Sequence, residues 1–423
     1  MARTFSIKTL GCKLNQHESA QMASQLVAEG WTAIPFGQPA DMVIVNTCTV
    51  TDRSDKKCRN YIRQGAQFSR DGRVVVTGCL VARDPEGIRR MPEVSLAVSG
   101  DEREHIASLV GVSPASGASS RSSNAVPLPF FRSRGSIKIQ DGCDGACSYC
   151  IVPAVRGAPR SMPMAEILDH ARFLIDAGVP ELVLTGITIG KYAYEGRSLA
   201  DLARALADLP GKFRLRITSI EPNHVSDALI DVYSHEKVCQ HIHLPLQSGS
   251  DRVLSAMRRP YTAAQYQGAV DSIRRAAPEI AVGADVIVGF PLEDDAAFNE
   301  TLSLVRNISF AYVHQFTFSP RRGTEASRMP RSGGAMALKR RADTLREVSL
   351  ASGISYRRRF EGRIMECVVE NNANRDGYTA VSGNYIKIDL EKDGLDALTP
   401  GGLMRVRMLR ATEAGASGCI FPV

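Results

Sequence analysis

The sequence predicts an α/β protein of three successive parts. These are an N-terminal open parallel α/β domain (residues 1–112), a central partial (β/α)6 barrel (130–360) and a small C-terminal all-β barrel (361–423), with a linker at 113–129. Three observations predict it. Near the N-terminus, an apolar strand-like run is followed three times by a cysteine-bearing loop and a helix-like stretch. From Gly135 strands and helices alternate over a much longer stretch. From about Glu361 the helical pattern gives way to short β-like runs separated by turn dipeptides.

In the first part, strand-like runs at 5–10, 42–45 and 73–76 lead into Gly11-Cys12, Asn46-Thr47-Cys48 and Thr77-Gly78-Cys79. Helix-like stretches follow at 17–29, 52–68 and 85–91. The cysteines recur at intervals of 36 and 31 residues, as parallel βαβ units would space them. In an open parallel sheet the loops at the strand C-termini share one edge, where ligands bind, so three distant cysteines are expected to converge. Helix N-termini beside them favour thiolates, and Gly11 and Gly78 let the backbone turn tightly there. The linker is rich in Ser, Ala and Pro, including Ser116-Gly117-Ala118-Ser119-Ser120.

In the second part, strands are expected at 136–140, 181–185, 213–218, 240–246, 281–288 and 311–318. Helices are expected at 163–177, 199–209, 226–235, 263–277 and 294–307. Pro163 suits a first helical turn and Gly178 a C-terminal stop. Active sites of such barrels lie at the strand C-termini. In the third part, β-like runs at 364–370, 378–381, 385–390 and 403–411 are divided by Asp376-Gly377, Ser382-Gly383, Asp393-Gly394 and Gly401-Gly402. Alternation in the last run puts Arg405 and Arg407 on one face and Val406 and Met408 on the other, which leaves a polar face for phosphates.

The 423 residues suffice for about two to three domains. Ten cysteines without a signal peptide point to a reducing cytosol and to metal rather than disulfides. No apolar run approaches the ~20 residues of a membrane span, so a cytoplasmic location without a membrane partner is expected. The net charge of +7 is uneven: residues 321–363 hold twelve Lys/Arg against four Asp/Glu, a local +8. Such a stripe suits a polyanion, and equally a solvated charged helix. Arg357, Arg358 and Arg359 within it, with Arg405 and Arg407, are the candidate RNA contacts.

Cys143, Cys147 and Cys150 form a C-x3-C-x2-C run in a loop that follows the first barrel strand. A [4Fe–4S] cluster normally takes four thiolates, so a run of three leaves one iron open to a small chelating molecule. Zinc needs four ligands, usually as paired C-x2-C units, and no fourth Cys or His lies nearby in the sequence. The spacing, Gly142 and the following Ile151-Val152-Pro153 resemble the cluster loop of the radical S-adenosylmethionine (SAM) enzymes. That resemblance implies SAM on the open iron, held by its amino and carboxylate groups and cleaved by one electron to a 5′-deoxyadenosyl radical.

The two triads together resemble the methylthiotransferases over nearly the whole chain. The likeness is carried by Thr9-Leu10-Gly11-Cys12-Lys13-Leu14-Asn15-Gln16, Asn46-Thr47-Cys48-Thr49-Val50-Thr51, Thr77-Gly78-Cys79 and Gln140-Asp141-Gly142-Cys143. It continues in Leu184-Thr185-Gly186-Ile187, Ser219-Ile220-Glu221-Pro222, His243-Leu244-Pro245-Leu246-Gln247-Ser248-Gly249-Ser250-Asp251 and Asp285-Val286-Ile287-Val288-Gly289-Phe290-Pro291. It implies two [4Fe–4S] clusters, the second an auxiliary one on Cys12, Cys48 and Cys79, with SAM as cofactor, tRNA as partner, and a reductant and a sulfur source that the sequence does not name. The C-terminal barrel resembles the RNA-binding TRAM domain. Tyr149 is expected near the SAM adenine, the backbone of Thr185, Gly186 and Ile187 at its methionine amino group, and Gly289 again near the adenine. Glu221 is expected at the ribose hydroxyls or amine, or else in a surface salt bridge, while Gln247 and Ser248 face the site. His241 and His243 are read as wall rather than ligands. Cys58, Cys239, Cys367 and Cys419 are read as plain thiols.

The implied reaction places a methylthio group on C2 of an adenine. One branch of the family acts on N6-isopentenyladenosine, with T-x-G-C-Q-M-N. A second acts on N6-threonylcarbamoyladenosine, with L-G-C-K-x-N and N-T-C-T-V-T, and a third on a ribosomal-protein aspartate. Lys13 and the run from Asn46 to Thr51 resemble the second. A redox-sensing Fe–S protein that binds RNA without catalysis is the other class, against which the SAM-cleavage motif speaks.

Overall fold

The computed structural model describes residues 3–110, 133–371, 377–391 and 401–421. The linker at 113–129 and the Asp393-Gly394 turn lie outside the described residues, as does Asp376. The chain opens with a five-stranded parallel sheet in the order Thr32–Ala33, Thr4–Thr9, Met42–Thr47, Val74–Gly78, Leu96–Ala97. The third and fourth of these are buried at every position, as a parallel strand covered on both faces must be. Val43, Val45, Val74 and Val76 pack with Cys58 and Ile62 on one face. Met42, Ile44 and Val75 pack with Phe5, Met22, Leu26 and Trp31 on the other. Helices Lys13–Ala28 and Asp52–Phe68 cover the two faces, the second capped by the Thr51 hydroxyl, which accepts from the Ser54 N–H. Two details differ from the sequence reading. The first helix starts directly after Cys12 rather than at residue 17. Cys79 itself opens a five-residue helix, Cys79–Arg83, too short to show a helical period.

Six parallel strands follow: Gly135–Lys138, Glu181–Thr185, Arg214–Ile217, His241–His243, Ala281–Val288 and Tyr312–Thr317. They form two three-stranded ladders joined by single bridges at Leu215–Val238 and Ser219–His243. Among the described residues the first and last strands do not pair, so the barrel is open on that side. The fourth strand is shorter than its expected 240–246. Pro245 has no N–H to donate, and Gln247 turns at φ +66. The expected helices stand at Met164–Asp176, Leu199–Ala207, Asp227–Val232, Ala263–Ala276 and Asp295–Ile308, two of them opened by capping boxes, Ser198/Asp201 and Thr262/Gln265. Three more stand outside the expected ranges, Val152–Arg156, Asp251–Ala256 and the 24-residue Ala335–Arg358, the last being the charged helix offered as one reading of the basic segment.

The C-terminal strands Ile364–Asn371, Tyr378–Ser382, Lys387–Leu390, Leu403–Ala411 and Ala416–Ile420 close into a barrel. The last, Ala-Ser-Gly-Cys-Ile, was invisible in the sequence because it lacks the β-branched run that marks the others. Arg405 and Arg407 are exposed, Val406 and Met408 buried, as the alternation required.

This small barrel is welded to the lower end of the large one. Glu181, fully buried, receives Arg214 and Arg216 at 2.6 Å each. The same two guanidiniums donate onward to the carbonyls of Glu366, Val381, Ser382 and Gly383. Burial alone would raise the Glu181 carboxyl, but Arg216 and Arg214 outweigh it and hold it at about 2, against an ordinary 4.5. Its stabilising charge is therefore complete above 4.5 and is lost as pH falls toward 2. Glu181→Gln is expected to lower stability by about 3 kcal/mol at neutral pH, because it leaves two buried cations short of a partner. In thermal unfolding, the gap to wild type should close as pH is taken from 4.5 toward 2; a gap independent of pH would refute this account.

Candidate active site

The C-x3-C-x2-C loop leaves the upper end of the first barrel strand. Each of its sulfurs has one donor. Gly145 N–H points at Cys143 Sγ (3.2 Å), Arg259 Nη1 at Cys147 Sγ (3.1 Å) and Val152 N–H at Cys150 Sγ (3.4 Å). Donors aimed at sulfur are what a cluster's thiolates require. Gln140, wholly buried, fixes the loop to its neighbour. Its amide donates to the carbonyls of Asp141 and Gly142, and its oxygen accepts from the N–H groups of Ile187 and Thr188. The Thr185-Gly186-Ile187 stretch is thus set against the cysteine loop, with the Ile187 N–H already engaged. Gly186 sits so close that a Cβ would lie 2.6 Å from the Gln140 carbonyl.

Glu221 ends the third strand and pairs with Arg259, which also donates to Tyr261 (3.0 Å). Arg259 therefore joins a cysteine sulfur to the carboxylate expected at the SAM ribose. Tyr149 lies edge-on to Phe290 with ring centres 6.3 Å apart. Ser248 is buried against Thr301, while Gln247 remains partly open. The Gly289 N–H is taken by Glu293 (2.9 Å), and a Cβ there would lie 2.5 Å from Leu338 of the long helix.

The other three cysteines converge as the shared sheet edge requires. The strands that lead to them are neighbours, with Thr9 opposite Asn46 and Thr47 opposite Gly78. A Cβ on Gly11 would come within 3.0 Å of Cys48 Cβ, and one on Gly78 within 2.3 Å of the Thr47 carbonyl, so both turns are closed to other residues. Polar side chains lash the loops together. Asn15 donates to the carbonyls of Leu10 (2.8 Å) and Thr47 (2.9 Å). Asn46 donates to the Asn15 carbonyl (2.9 Å), and Thr47 to that of Thr77 (2.6 Å). Burial raises the Cys48 and Cys79 thiols and pushes Cys150 up to about 11, outweighing the Val50 N–H at Cys48, the Arg156 charge at Cys79 and the Val152 N–H at Cys150, which favour thiolates. A metal is what draws such thiols into the ionised form. Cys58 is buried behind Cys48, exchanging hydrogen bonds with its backbone (3.3 and 3.2 Å). Cys239 and Cys367 are buried as well.

Two buried arginines, neither signalled by the sequence, clamp the triads together. Arg156, six residues past Cys150, reaches Asn15 (2.7 Å), Glu18 (2.6 Å) and Asp141 (3.3 Å), and its charge favours the Cys79 thiolate. Arg321, beyond the sixth strand, reaches Asp52 (2.6 Å), Asp55 (2.7 Å) and Thr49, just past Cys48.

Beneath the cysteine loop the barrel lumen is polar. His243 and His314 donate to the same oxygen of Asp285 (3.1 and 3.3 Å), and His243 meets the Ser219 hydroxyl at 2.7 Å. Burial would raise Asp285, but these two imidazoles hold it at about 2. His241 meets the Tyr312 hydroxyl (2.8 Å), and Tyr385 of the C-terminal barrel packs on His241. Lys13 stands over the Tyr385 ring at 5.9 Å. A cleft of about 680 Å³ reaches this region from the open side, lined by Lys13, Gln16, Phe36, Arg134, Ser136 and Val183.

Residues 4–100 match the uncharacterized protein family UPF0004, and residues 137–305 the radical SAM superfamily. The chain is 33% identical to the threonylcarbamoyladenosine tRNA methylthiotransferase MtaB of Thermotoga maritima, across 99% of this chain and 97% of the relative. The chain belongs to the radical SAM methylthiotransferase family. It is also 33% identical to the tRNA-2-methylthio-N(6)-dimethylallyladenosine synthase of Cereibacter sphaeroides, across 99% of this chain and 98% of the relative. Among solved structures, the radical SAM methyltransferase TsrM of Kitasatospora setae shares the fold with a TM-score of 0.56 at 13% identity, covering 75% of this chain and 72% of that one.

The methylthiotransferase uses its basic segment differently from the sequence reading. Arg321 and Arg341 are buried and ion-paired, Arg341 with Glu293 and Asp295. Arg357 donates to the carbonyls of Thr412 and Glu413, and Arg359, itself exposed, to that of Pro278, so among the described residues Arg358 is the one of the three consecutive arginines without a hydrogen bond. Arg322, Arg328, Arg331, Lys339, Arg340, Arg346, Arg358, Arg359 and Arg363 are the exposed cations of the segment, of which Arg346 and Arg363 are ion-paired with Asp343 and Glu279. No helix among the described residues is long and apolar enough to cross a membrane.

Arg156→Ala is expected to uncouple the N-terminal sheet from the barrel at a cost of about 3–5 kcal/mol, since Asn15, Glu18 and Asp141 lose a buried partner. Trp31 is the single tryptophan and lies in the N-terminal core, so its fluorescence reports that part alone. In wild type its unfolding should coincide with loss of total helix signal. In the variant it should come earlier; coincident transitions would show that Arg156 is not the coupling.

Proposed function

We propose that this methylthiotransferase is of the MtaB type, placing a methylthio group on C2 of N6-threonylcarbamoyladenosine beside the anticodon of tRNA. Identity does not choose the branch, because relatives named for the threonylcarbamoyl and the dimethylallyl nucleosides match equally, at 33%. The observation that carries the choice is the lumen. A prenyl group wants apolar walls, whereas Ser219, His243, Asp285, His314, Tyr312, Tyr385 and Lys13 suit a substituent with carbonyl, hydroxyl and carboxylate groups.

Cys143, Cys147 and Cys150 would hold the cluster that binds SAM, and Cys12, Cys48 and Cys79 a second cluster. When bound, these groups supply the hydrogen abstraction at C2 and the methylthio group that replaces the hydrogen. The protein's own part is placement. Gln140 and Arg259 fix the SAM side, with Tyr149, Glu221 and the 185–187 backbone around it. Asn15, Asn46 and Thr47 fix the other side, and Arg156 and Arg321 keep the gap between the triads constant and closed to water. The exposed cations Arg322, Arg328, Arg331, Lys339, Arg340 and Arg358, with Arg405 and Arg407 beside Phe421, would take the tRNA backbone. The reductant and the sulfur source are supplied by other proteins or small molecules.

Anaerobically reconstituted enzyme should bind about eight irons. It should add the mass of SCH3 in exchange for H to N6-threonylcarbamoyladenosine and leave isopentenyladenosine unchanged. Changing Cys12, Cys48 and Cys79 to Ala should halve the iron and abolish product while 5′-deoxyadenosine still forms. Turnover of the isopentenyl nucleoside instead would place the protein in the sister branch. Changing Arg331, Lys339 and Arg340 to Ala should weaken tRNA binding and flatten its log–log salt dependence by about two to three. An unchanged slope would remove that segment from the interface.

A further inference from the structure

The lumen contains a cation that the fold itself leaves unmatched. Lys13 follows Cys12 directly, opens the first helix and lines the cleft, where its ammonium is partly withdrawn from water. The other cations near it are satisfied. Glu181 takes Arg214 and Arg216 at 2.6 Å each, and Glu370 takes Arg134 at 2.9 Å. Lys13, Arg134, Arg214 and Arg216 thus face only Glu181 and Glu370, and Lys13 is the member of the group without a carboxylate at ion-pair distance among the described residues. Its nearest aromatic neighbour is Tyr385, which leads through His241 and Tyr312 to His314 and Asp285. Asp285 does not supply the missing anion, because both histidines already hold it. A positive surplus beside a polar wall favours an anion-bearing ligand and disfavours an apolar one, which would strand the ammonium without water.

We propose that Lys13 sets the enzyme's substrate specificity by pairing with the carboxylate of the N6-threonylcarbamoyl group. This rests on the substrate reading above and adds the residue that enforces it. The placement has a consequence for geometry. Lys13 is covalently next to Cys12, so a nucleoside anchored by its carboxylate at Lys13 is delivered beside the Cys12, Cys48 and Cys79 triad. A nucleoside whose N6 substituent lacks the charge gains no such anchor.

The test uses the full-length enzyme with its clusters in place and anticodon stem–loops carrying either N6-threonylcarbamoyladenosine or its methyl ester, which removes the charge and little else. Binding is read by fluorescence anisotropy without reductant, so it does not depend on turnover; KM and kcat are read separately. Wild type should bind the acid about ten- to a hundredfold tighter than the ester, the range of a hydrogen bond to a charged group. Lys13→Met should bind the acid no better than the ester, and Lys13→Arg should retain part of the preference. Iron content equal to wild type certifies that the Cys12 loop is intact in each variant. The ester comparison on wild type stands even if a variant does not fold. If wild type methylthiolates the acid without preferring it over the ester, or if Lys13→Met keeps the full preference, the Lys13 assignment is overturned while the substrate reading survives. If wild type does not methylthiolate the acid at all, the substrate reading itself falls, and this inference with it.

Discussion

The architecture depends on one buried guanidinium. Arg156 belongs to the helix after the C-x3-C-x2-C loop, yet its partners Asn15 and Glu18 lie on the helix that Cys12 opens, and its charge favours the Cys79 thiolate. Taking such a charge out of water costs several kcal/mol, and the cost is offset only where every N–H finds an oxygen in good geometry. That requirement is also what makes the contact specific. The edge of one sheet can meet the end of the other in one arrangement, because in any other the guanidinium would be left dry and unpaired, although Glu18 would keep Arg103. Chemistry between two cofactor sites needs reacting atoms within ~3–3.5 Å of one another, and a junction of sliding apolar surfaces would not hold that tolerance. Arg321 applies the same device on the far side of the gap, from the last barrel strand to the loop of Cys48.

Arginine serves a similar purpose at the opposite end of the barrel. Arg214 and Arg216 are inward-pointing residues of a central strand, where an aliphatic side chain would be usual, and they reach carbonyls of the C-terminal barrel. Three folding units are thus joined by buried guanidiniums that cross their boundaries; Arg156, Arg214 and Arg216 also have a carboxylate on their own side, Asp141 or Glu181, whereas both carboxylates of Arg321 lie across the boundary. Local sequence conceals this. A run of arginines reads as a basic surface, but a residue such as Arg321 or Arg341 is neutralised by acids 266 and 48 positions away. The +8 of residues 321–363 therefore overstates the charge offered to an outside polyanion.

What the sequence made legible follows the same division between local and distant. The helix at Asp52–Phe68 and the strands at Glu181–Thr185, Ala281–Val288 and Leu403–Ala411 were read to the residue, because their apolar period and their caps are local. The six motif cysteines were legible through spacing and through the rule that parallel strands end on one edge. Gln140, Arg156 and Arg259 were not. Each acts through partners that a single sequence gives no means of pairing with it. The surroundings of Gly289 were hidden in the same way: Glu293 takes its N–H, and Leu338, on the helix Ala335–Arg358, stands where its side chain would be.

The lumen explains how one scaffold can serve substrates as unlike as a prenylated and a carboxylated adenosine. The triads and the clamps around them concern the C2 edge of the base, which such substrates share. The discriminating atoms hang from N6, and in the arrangement we propose they enter the space between Lys13, Tyr385, His314 and Asp285. Those side chains come from the first helix, the C-terminal barrel and two central strands. Substituent recognition is therefore assembled only when all three units are docked. A chain in which Arg156 or Arg216 let a unit swing away would lose selectivity together with reactivity, because the wall that reads N6 and the gap that holds C2 are built by the same contacts.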